Sequence, residues 1–157
     1  MTRWAVLLLM LAAPAAAQEA EDVQYWASIS SGEALMRTGP GKTYPATWKY
    51  QRRDLPVRIT QRYDNWRKIT DPDGETGWMA VALLSERRTG MIRGDEAVPL
   101  YVTPDFEAPI RYRAEPGVVG KLDECNGTFC LMVMDDSRDG WVSQDVLWGV
   151  DPGETFE

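Results

Sequence analysis

One pattern of residues occurs twice in this chain, and the duplication constrains the fold more than any other feature. Trp66 precedes Trp78 of the pair Gly77-Trp78 by 12 residues, and Phe129 precedes Trp141 of the pair Gly140-Trp141 by the same number. A leucine follows each second tryptophan by six residues. Upstream, the segment Leu35-Met-Arg-Thr-Gly-Pro40 aligns with Leu100-Tyr-Val-Thr-Pro104. We therefore predict two similar units in tandem, each of about 60 residues, a size at which a domain is marginally stable.

The residues within each unit favour short β-strands. Apolar or alternating runs such as Leu55-Pro-Val-Arg-Ile-Thr60 and Phe129-Cys-Leu-Met-Val-Met134 are separated by clusters of Pro, Gly, Asp and Asn. Such spacing is typical of a small all-β barrel or sandwich. Asp73-Gly74 and Asn126-Gly127 are hairpin signals, because these residues tolerate the positive φ of tight turns. Any helix is expected to be a single turn, following Trp78 or Trp141.

The chain contains no histidine, and this absence excludes whole classes of chemistry. Ser-His-Asp and Cys-His nucleophiles and His-ligated zinc cannot form, and two cysteines are too few for a four-thiolate metal site. We predict no catalytic residue, no cofactor and no metal; the aspartates near Asp135 and Asp71 lack the ligand spacing of a calcium loop and are interpreted as polar turns. The formal net charge of −7 argues against nucleic acid as a partner.

Residues 1–17 are interpreted as a cleaved signal peptide. Arg3 is followed by the apolar run from Trp4 to Ala13 and by Ala15-Ala16-Ala17, which is a small-residue cleavage site. The apolar run is too short to span a bilayer. A buried N-terminal helix is the alternative interpretation. We therefore expect a periplasmic or secreted protein without a transmembrane segment.

Charge is divided unequally between the two units. Residues 18–92 carry 11 basic and 10 acidic side chains, whereas residues 93–157 carry 5 basic and 14 acidic ones, so that their net charges are +1 and −9. The short connection near residues 87–94 brings the units close together. Electrostatic contact between the two repeats is therefore expected.

The first repeat carries a series of short motifs in a characteristic order: an Arg-x-Gly-Pro start followed by a Tyr-Pro pair, a valine strand, an Asn-Trp strand and a closing Gly-Trp. These segments are Tyr25-Trp-Ala-Ser28, Leu35-Met-Arg-Thr-Gly-Pro-Gly-Lys-Thr-Tyr-Pro45, Leu55-Pro-Val57, Asn65-Trp-Arg-Lys-Ile69 and Gly77-Trp-Met79. Together they resemble the bacterial SH3 domain, and specifically the exported SH3-like proteins of alphaproteobacteria. The second repeat is similar to the degenerate copy of those proteins, through Glu115-Pro-Gly-Val-Val119, the cysteine pair and Leu147-Trp-Gly-Val-Asp-Pro-Gly153.

The resemblance implies a fold and a class of function. Two tandem SH3-like β-barrels of five or six short strands are expected, at residues 18–88 and at residues 89–153, the second of which is the degenerate copy. The implied function is noncatalytic binding in the cell envelope, with peptidoglycan or its peptides as the ligand. A periplasmic protein-protein interaction or scaffolding role is the alternative, and an envelope hydrolase ranks last. The partner is accordingly a cell-wall glycan or peptide, or another envelope protein.

Aromatic and basic side chains of the first repeat are the candidate ligand contacts. Flat aromatic faces bind sugar rings and extended peptides while polar groups at the rim orient the ligand. The alternative is that so small a barrel needs its aromatic residues for its own core, and we assign Trp78 and Trp141 to that role. The basic residues are either an anion-binding surface or an ordinary solvated face. The candidate binding residues are Tyr44, Trp48, Tyr50, Trp66, Arg52 and Arg53.

Cys125 and Cys130 flank the turn signal Asn126-Gly127. In an oxidising compartment a structural disulfide across this turn is expected. Closing so short a loop contributes roughly 2 kcal/mol in the chain-entropy model. Two free thiols and a redox pair are the alternatives, although the spacing is not Cys-x-x-Cys.

Overall fold

The computed structural model describes residues 19–157. The predicted signal peptide lies outside these residues. The regular structure of the described chain consists of β-strands and two single-turn 3-10 helices, Val81–Leu83 and Gln144–Val146. The strands form two separate sheets, so the prediction of an all-β tandem of small SH3-like units is confirmed. The single turns follow Trp78 and Trp141, where the sequence predicted them.

The first sheet is antiparallel and has seven strands in the order β3-β2-β6-β5-β4-β1-β7. Its strands are β1 (Glu21–Ile29), β2 (Ala34–Arg37), β3 (Ala46–Tyr50), β4 (Pro56–Tyr63), β5 (Trp66–Thr70), β6 (Thr76–Ala80) and β7 (Leu84–Ser85). Side chains alternate between the two faces of each strand, and the apolar ones fill the interior. On β4, Val57 and Ile59 are fully buried, while Arg58 between them points outward.

The second sheet repeats this plan with strands in the order β10-β9-β13-β12-β11-β8-β14, while β15 pairs with β11. Its strands are β8 (Thr89–Ile92), β9 (Val98–Tyr101), β10 (Ile110–Ala114), β11 (Val119–Asn126), β12 (Phe129–Asp135), β13 (Arg138–Ser143), β14 (Leu147–Trp148) and β15 (Thr155–Phe156). Each sheet encloses its own apolar cluster. Met91 and Val119 of the second sheet also pack against the cluster of the first, so the two cores adjoin.

Strand pairing corrects the sequence alignment of the two repeats by one residue. Arg37 pairs with Trp78 in the first sheet, and Tyr101 pairs with Trp141 in the second. Met36 is therefore equivalent to Leu100, and both side chains are fully buried. Aligning Leu35 with Leu100 was wrong because side chains on a strand alternate between faces, so that a shift of one residue exchanges inside and outside.

Both predicted hairpin turns are present. Gly74 and Gly127 have φ values of 88° and 93°, which a side chain would strain. Cys125 and Cys130 lie directly opposite each other on β11 and β12 and are joined by a disulfide. The structural disulfide is thus confirmed, and it closes the hairpin at the Asn126 turn.

A carboxylate from the second repeat joins the two repeats. The Arg58 guanidinium on β4 donates to both oxygens of Asp151, at 2.8 and 2.9 Å, and the indole Nε1 of Trp26 on β1 donates to the same carboxylate at 3.2 Å. Arg58 also lies over the Trp26 ring. The arginine side chain is 21% exposed and that of Asp151 51%, so only the arginine side of this pair is shielded from water. The expected contact between the repeats is therefore present.

Trp148 extends this contact through its ring. Its indole Nε1 donates to the backbone oxygen of Pro56 at 3.0 Å, and its ring meets that of Trp26 edge to face, with centroids 4.9 Å apart. The following residue, Gly149, has a φ of 117°, and a Cβ there would lie 2.2 Å from the Thr89 oxygen. Glycine is required at this point because two backbones approach closely.

A second ion pair holds the segment after Gly149 against the second sheet. Arg88 donates to both oxygens of Glu154, at 2.6 and 3.0 Å, and also to the backbone oxygen of Gly149. The amide of Gln144 bridges the same segment through Glu154 and Gly153. The hydrogen bonds from Arg88 lower the pKa of the Glu154 carboxyl, because they stabilise its charged form.

Replacing Asp151 tests the contact between the repeats. In Asp151→Ala, Arg58 and Trp26 lose their shared acceptor, and we expect a loss of about 1 to 2 kcal/mol in the free energy of unfolding. In thermal unfolding this corresponds to a midpoint lower by roughly 2 to 6 °C. The control is Glu21→Ala, which removes an exposed ion pair with Arg62 inside the first repeat and should change the midpoint little. Equal midpoint changes in the two variants would contradict this account.

Acid titration tests the Glu154 ion pair. A carboxyl whose pKa is lowered by folding stabilises the protein above its ordinary pKa of 4.5 and loses this contribution as pH falls through its lower folded value. The free energy of unfolding of the native chain should therefore exceed that of Glu154→Gln at neutral pH, and the difference should shrink below about pH 4.5. Glu157→Gln, an exposed change on the same segment, serves as control. A difference independent of pH would contradict the assignment.

Candidate functional site

A groove of about 670 Å³ lies where the two repeats meet. One wall comes from β3 and the residues after it in the first repeat, a second from the turn between β5 and β6, and the end from Met91 and Gly117 of the second repeat. We call this the inter-repeat groove. Both repeats contribute to it, so its shape depends on their relative position.

Two aromatic residues of β3 line the inter-repeat groove. Trp48 and Tyr50 are two residues apart on one strand and therefore project to the same side. The Trp48 side chain is 50% exposed, whereas Tyr50 is half-buried and packs against the first core. Trp48 thus offers an open aromatic face, while Tyr50 forms part of the fixed wall.

A hydrogen bond to Asp71 fixes Tyr50. Its hydroxyl donates to Asp71 Oδ2 at 2.9 Å, and burial together with this acidic neighbour raises the pKa of Tyr50 well above its ordinary 10.0, so the phenol stays neutral. The other oxygen of Asp71 accepts the backbone N–H groups of Asp73 and Glu75, at 3.0 and 2.9 Å. One buried carboxylate therefore holds both the tyrosine and the turn beside it.

The walls of the inter-repeat groove carry opposite charges. Asp73 and Glu75 are exposed on the turn side, and Arg52 lies at the end of the β3 side. Lys49 of β3 also borders the groove but is paired with Glu33 at 2.8 Å. Arg52 donates to the Gly117 oxygen of the second repeat. A ligand with both ammonium and carboxylate groups, or with an apolar ring to lay on Trp48, matches this arrangement.

The remaining predicted binding residues lie elsewhere. Trp66 is half-buried and lines a second groove, of about 290 Å³, together with Arg37 and Lys42. Tyr44 is 46% exposed in the loop before β3, where its ring covers Gly39; a Cβ at that glycine would be 2.5 Å from the ring. Arg53 is exposed beside Arg52. The structure therefore brings together Trp48, Tyr50 and Arg52, and separates them from Tyr44 and Trp66.

Of the two tryptophans assigned to the core, Trp78 is buried and Trp141 is half-buried. Trp78 is 9% exposed and lies between its cross-strand neighbours Arg37 and Lys68. Trp141 is half-buried between Tyr101 and Leu131. The adjacent residues on the same strands, including Met79 and Val142, fill the interiors. Trp78 is thus one of the buried hydrophobic residues, although neither tryptophan belongs to the apolar cluster of its sheet.

Sequence reasoning missed two parts of the inter-repeat groove. The turn from Asp71 to Gly74 was interpreted only as a polar turn, although it also supplies a charged wall. The contributions of Met91 and Gly117 carried no local signal. The alternation of Asp71, Asp73 and Glu75 within five residues was the one available indication of a clustered negative charge.

Two further observations concern only residues 19–157. No cluster of three or more acidic or cysteine side chains there is arranged to hold a metal ion. None of the helical segments in that range has the length and apolar character needed to cross a membrane.

Comparison with known proteins identifies the family. Two solved structures are similar at low identity, NlpC1 and NlpC2 from Trichomonas vaginalis, at 15% and 13%, each with a TM-score of 0.34. The matches cover 90% and 81% of this chain but 50% and 48% of those chains, so it spans about half their length. A search of curated proteins finds no match. The family model for the bacterial SH3 domain matches twice, at residues 30–86 and 94–149, and the chain therefore belongs to the bacterial SH3 domain family.

Proposed function

We propose that this protein is an exported, noncatalytic binding module of the cell envelope, and that its inter-repeat groove takes peptidoglycan or its stem peptides. Domains of this family are typically noncatalytic modules that bind cell-wall components. We divide the chain at residues 18–88 and 89–153, after a signal peptide at 1–17. The observation that carries the proposal is the half-exposed Trp48 face in a groove that has Arg52 on one wall and Asp73 and Glu75 on the other.

The chemistry of the ligand fits the groove. A sugar ring or an aliphatic peptide side chain can lie on Trp48 and bury apolar area there. Stem peptides carry carboxylates and, on their diamino acid, an ammonium group. A carboxylate matches Arg52, and the ammonium matches Asp73 and Glu75 on the facing turn.

The disulfide supports export. Cys125 and Cys130 are both fully used in the bond, and such bonds persist in the periplasm or outside the cell, where the environment is oxidising. The pairing also removes both thiols as nucleophiles. Since the chain has no histidine either, a Cys-His or Ser-His hydrolase centre cannot be assembled from its residues.

Retention on isolated sacculi tests the proposed ligand. Trp48→Ala removes the exposed aromatic face and should weaken retention about tenfold, because aromatic anchors dominate such contacts. Phe106→Ala, which removes a comparably exposed aromatic in the second repeat (55% exposed), is the matched control and should bind as the native chain does. Circular dichroism of each variant verifies that the fold is kept.

Three outcomes would contradict the proposal. The native chain is not retained, Trp48→Ala is retained as well as the native chain, or Phe106→Ala loses as much retention as Trp48→Ala. Release of soluble fragments from the sacculi would instead indicate a hydrolase. We expect no such release.

A further inference from the structure

The two repeats carry a groove at the same place in their folds, and the two grooves differ in character. Lys42 lies five residues after Arg37, and Phe106 lies five residues after the equivalent Tyr101. Arg37 and Lys42 line the groove of the first repeat, which measures about 290 Å³. Tyr101 and Phe106 line the groove of the second repeat, which measures about 270 Å³. A cationic pair in one repeat is thus replaced by an aromatic pair in the other. We call the second of these the aromatic groove.

The outer face of the second sheet continues this apolar character. Four residues lie side by side across neighbouring strands: Ile110, Tyr101, Trp141 and Leu131. Ile110 at the edge strand is 46% exposed. The equivalent row in the first sheet reads Ala46, Arg37, Trp78 and Lys68. Only the tryptophan is shared, so the second repeat presents an apolar row where the first presents a charged one.

Phe106 is held in place although it is 55% exposed. Its ring contacts Phe129 at a centroid distance of 4.5 Å and Tyr101 at 6.1 Å. Its loop is closed by Asp105, whose side chain accepts the N–H of Glu107 at 2.9 Å and whose backbone oxygen accepts that of Ala108. An exposed aromatic with a fixed position loses little entropy when it binds a partner.

Exposed carboxylates lie on the segments that form the aromatic groove. Asp145 lines it, Asp105 and Glu107 flank Phe106, and two more precede β9, Asp95 and Glu96. None of the five has a cationic partner within 4.0 Å among the described residues. Arg111 is paired with Asp139. Arg113, opposite the groove-lining Pro99, and Arg93, two residues before Asp95, are exposed and have no acidic partner within 4.0 Å among the described residues. The five carboxylates outnumber these two arginines, so the surroundings of the groove carry net negative charge.

We propose that the aromatic groove is a docking site for a partner protein, through a peptide segment that combines lysine or arginine with aliphatic side chains. The aliphatic groups bury against Tyr101 and Phe106, and the cationic groups meet the carboxylates at the rim. Charge complementarity favours this occupant, because the net negative charge around the groove attracts a cationic peptide and repels an anionic one. This site is separate from the inter-repeat groove and does not depend on the proposed cell-wall ligand.

Three blocked ten-residue peptides test the proposal: alternating Lys-Leu, alternating Lys-Ser and alternating Glu-Leu. Each is titrated into the purified full chain and followed by amide chemical shifts and by calorimetry. We expect the Lys-Leu peptide to bind, with shifts centred on Phe106 and Tyr101, and to bind at least about tenfold more tightly than either other peptide. Binding should weaken as salt is raised, since the rim charges are exposed.

Matched variants locate the site. Phe106→Ala should weaken Lys-Leu binding about tenfold, as expected for loss of a central aromatic contact, whereas Lys42→Ala at the equivalent position of the first repeat should leave it unchanged. The double change Asp105→Asn with Asp145→Asn should weaken it at low salt. Glu115→Gln with Glu157→Gln, which removes as much charge away from the groove, should have less effect.

Several results would overturn the proposal. The first is that the Lys-Leu peptide does not bind at about 1 mM, and the second is that the Glu-Leu peptide binds as tightly as the Lys-Leu peptide. The third is that Phe106→Ala binds the Lys-Leu peptide as tightly as the native chain does. The fourth is that Lys42→Ala loses as much affinity as Phe106→Ala. Trp48→Ala separates this site from the inter-repeat groove: it should weaken retention on sacculi and leave Lys-Leu binding intact. Failure of either proposal is therefore visible without failure of the other.

Discussion

The relative position of the two repeats depends on the hydrogen bonds that the Asp151 carboxylate accepts. It accepts hydrogen bonds from Arg58 and from the Trp26 indole of the other repeat. Around it, Trp148 packs edge to face on Trp26 and donates to the backbone of Pro56. Directional bonds to one carboxylate, backed by two large rings, restrict both the distance and the rotation between the repeats. The inter-repeat groove has a defined shape for this reason.

The two repeats show how one scaffold acquires two surfaces. Inward-facing positions stay apolar in both, as Met36 and Leu100 illustrate. Outward-facing positions are free to diverge, because they are not needed for the core. Arg37 in one repeat and Tyr101 in the other occupy the same place in the strand order. The two repeats therefore differ at equivalent grooves: Arg37 and Lys42 line the groove of the first repeat, and Tyr101 and Phe106 line that of the second.

Much of the fold was predictable from the sequence, because its signals are local. Short apolar runs bounded by glycine and asparagine marked the strands and turns, and Cys125 and Cys130 marked a hairpin. The strand register was harder to predict. Aligning Leu35 with Leu100 shifted the strand by one residue, because an apolar run alone does not show which of its side chains point inward. Of the candidate site, Trp48, Tyr50 and Arg52 were named from composition and turned out to be neighbours in space. The contributions of Met91 and Gly117 were not accessible, because they result from packing between residues far apart in the sequence.

The position of Asp151 and Glu154 has a consequence for how such proteins diversify. Both residues, and Trp26, lie outside the stretches that match the family model, 30–86 and 94–149. The unmatched segments also contain β1 and β8, so they complete the two sheets as well as joining them. Asp151, Glu154 and Trp26 themselves belong to neither core cluster, so substitutions there alter the contact between the barrels without replacing a core residue. The angle between the two barrels is then set apart from the residues that fill either core, and the shape of the inter-repeat groove changes with that angle.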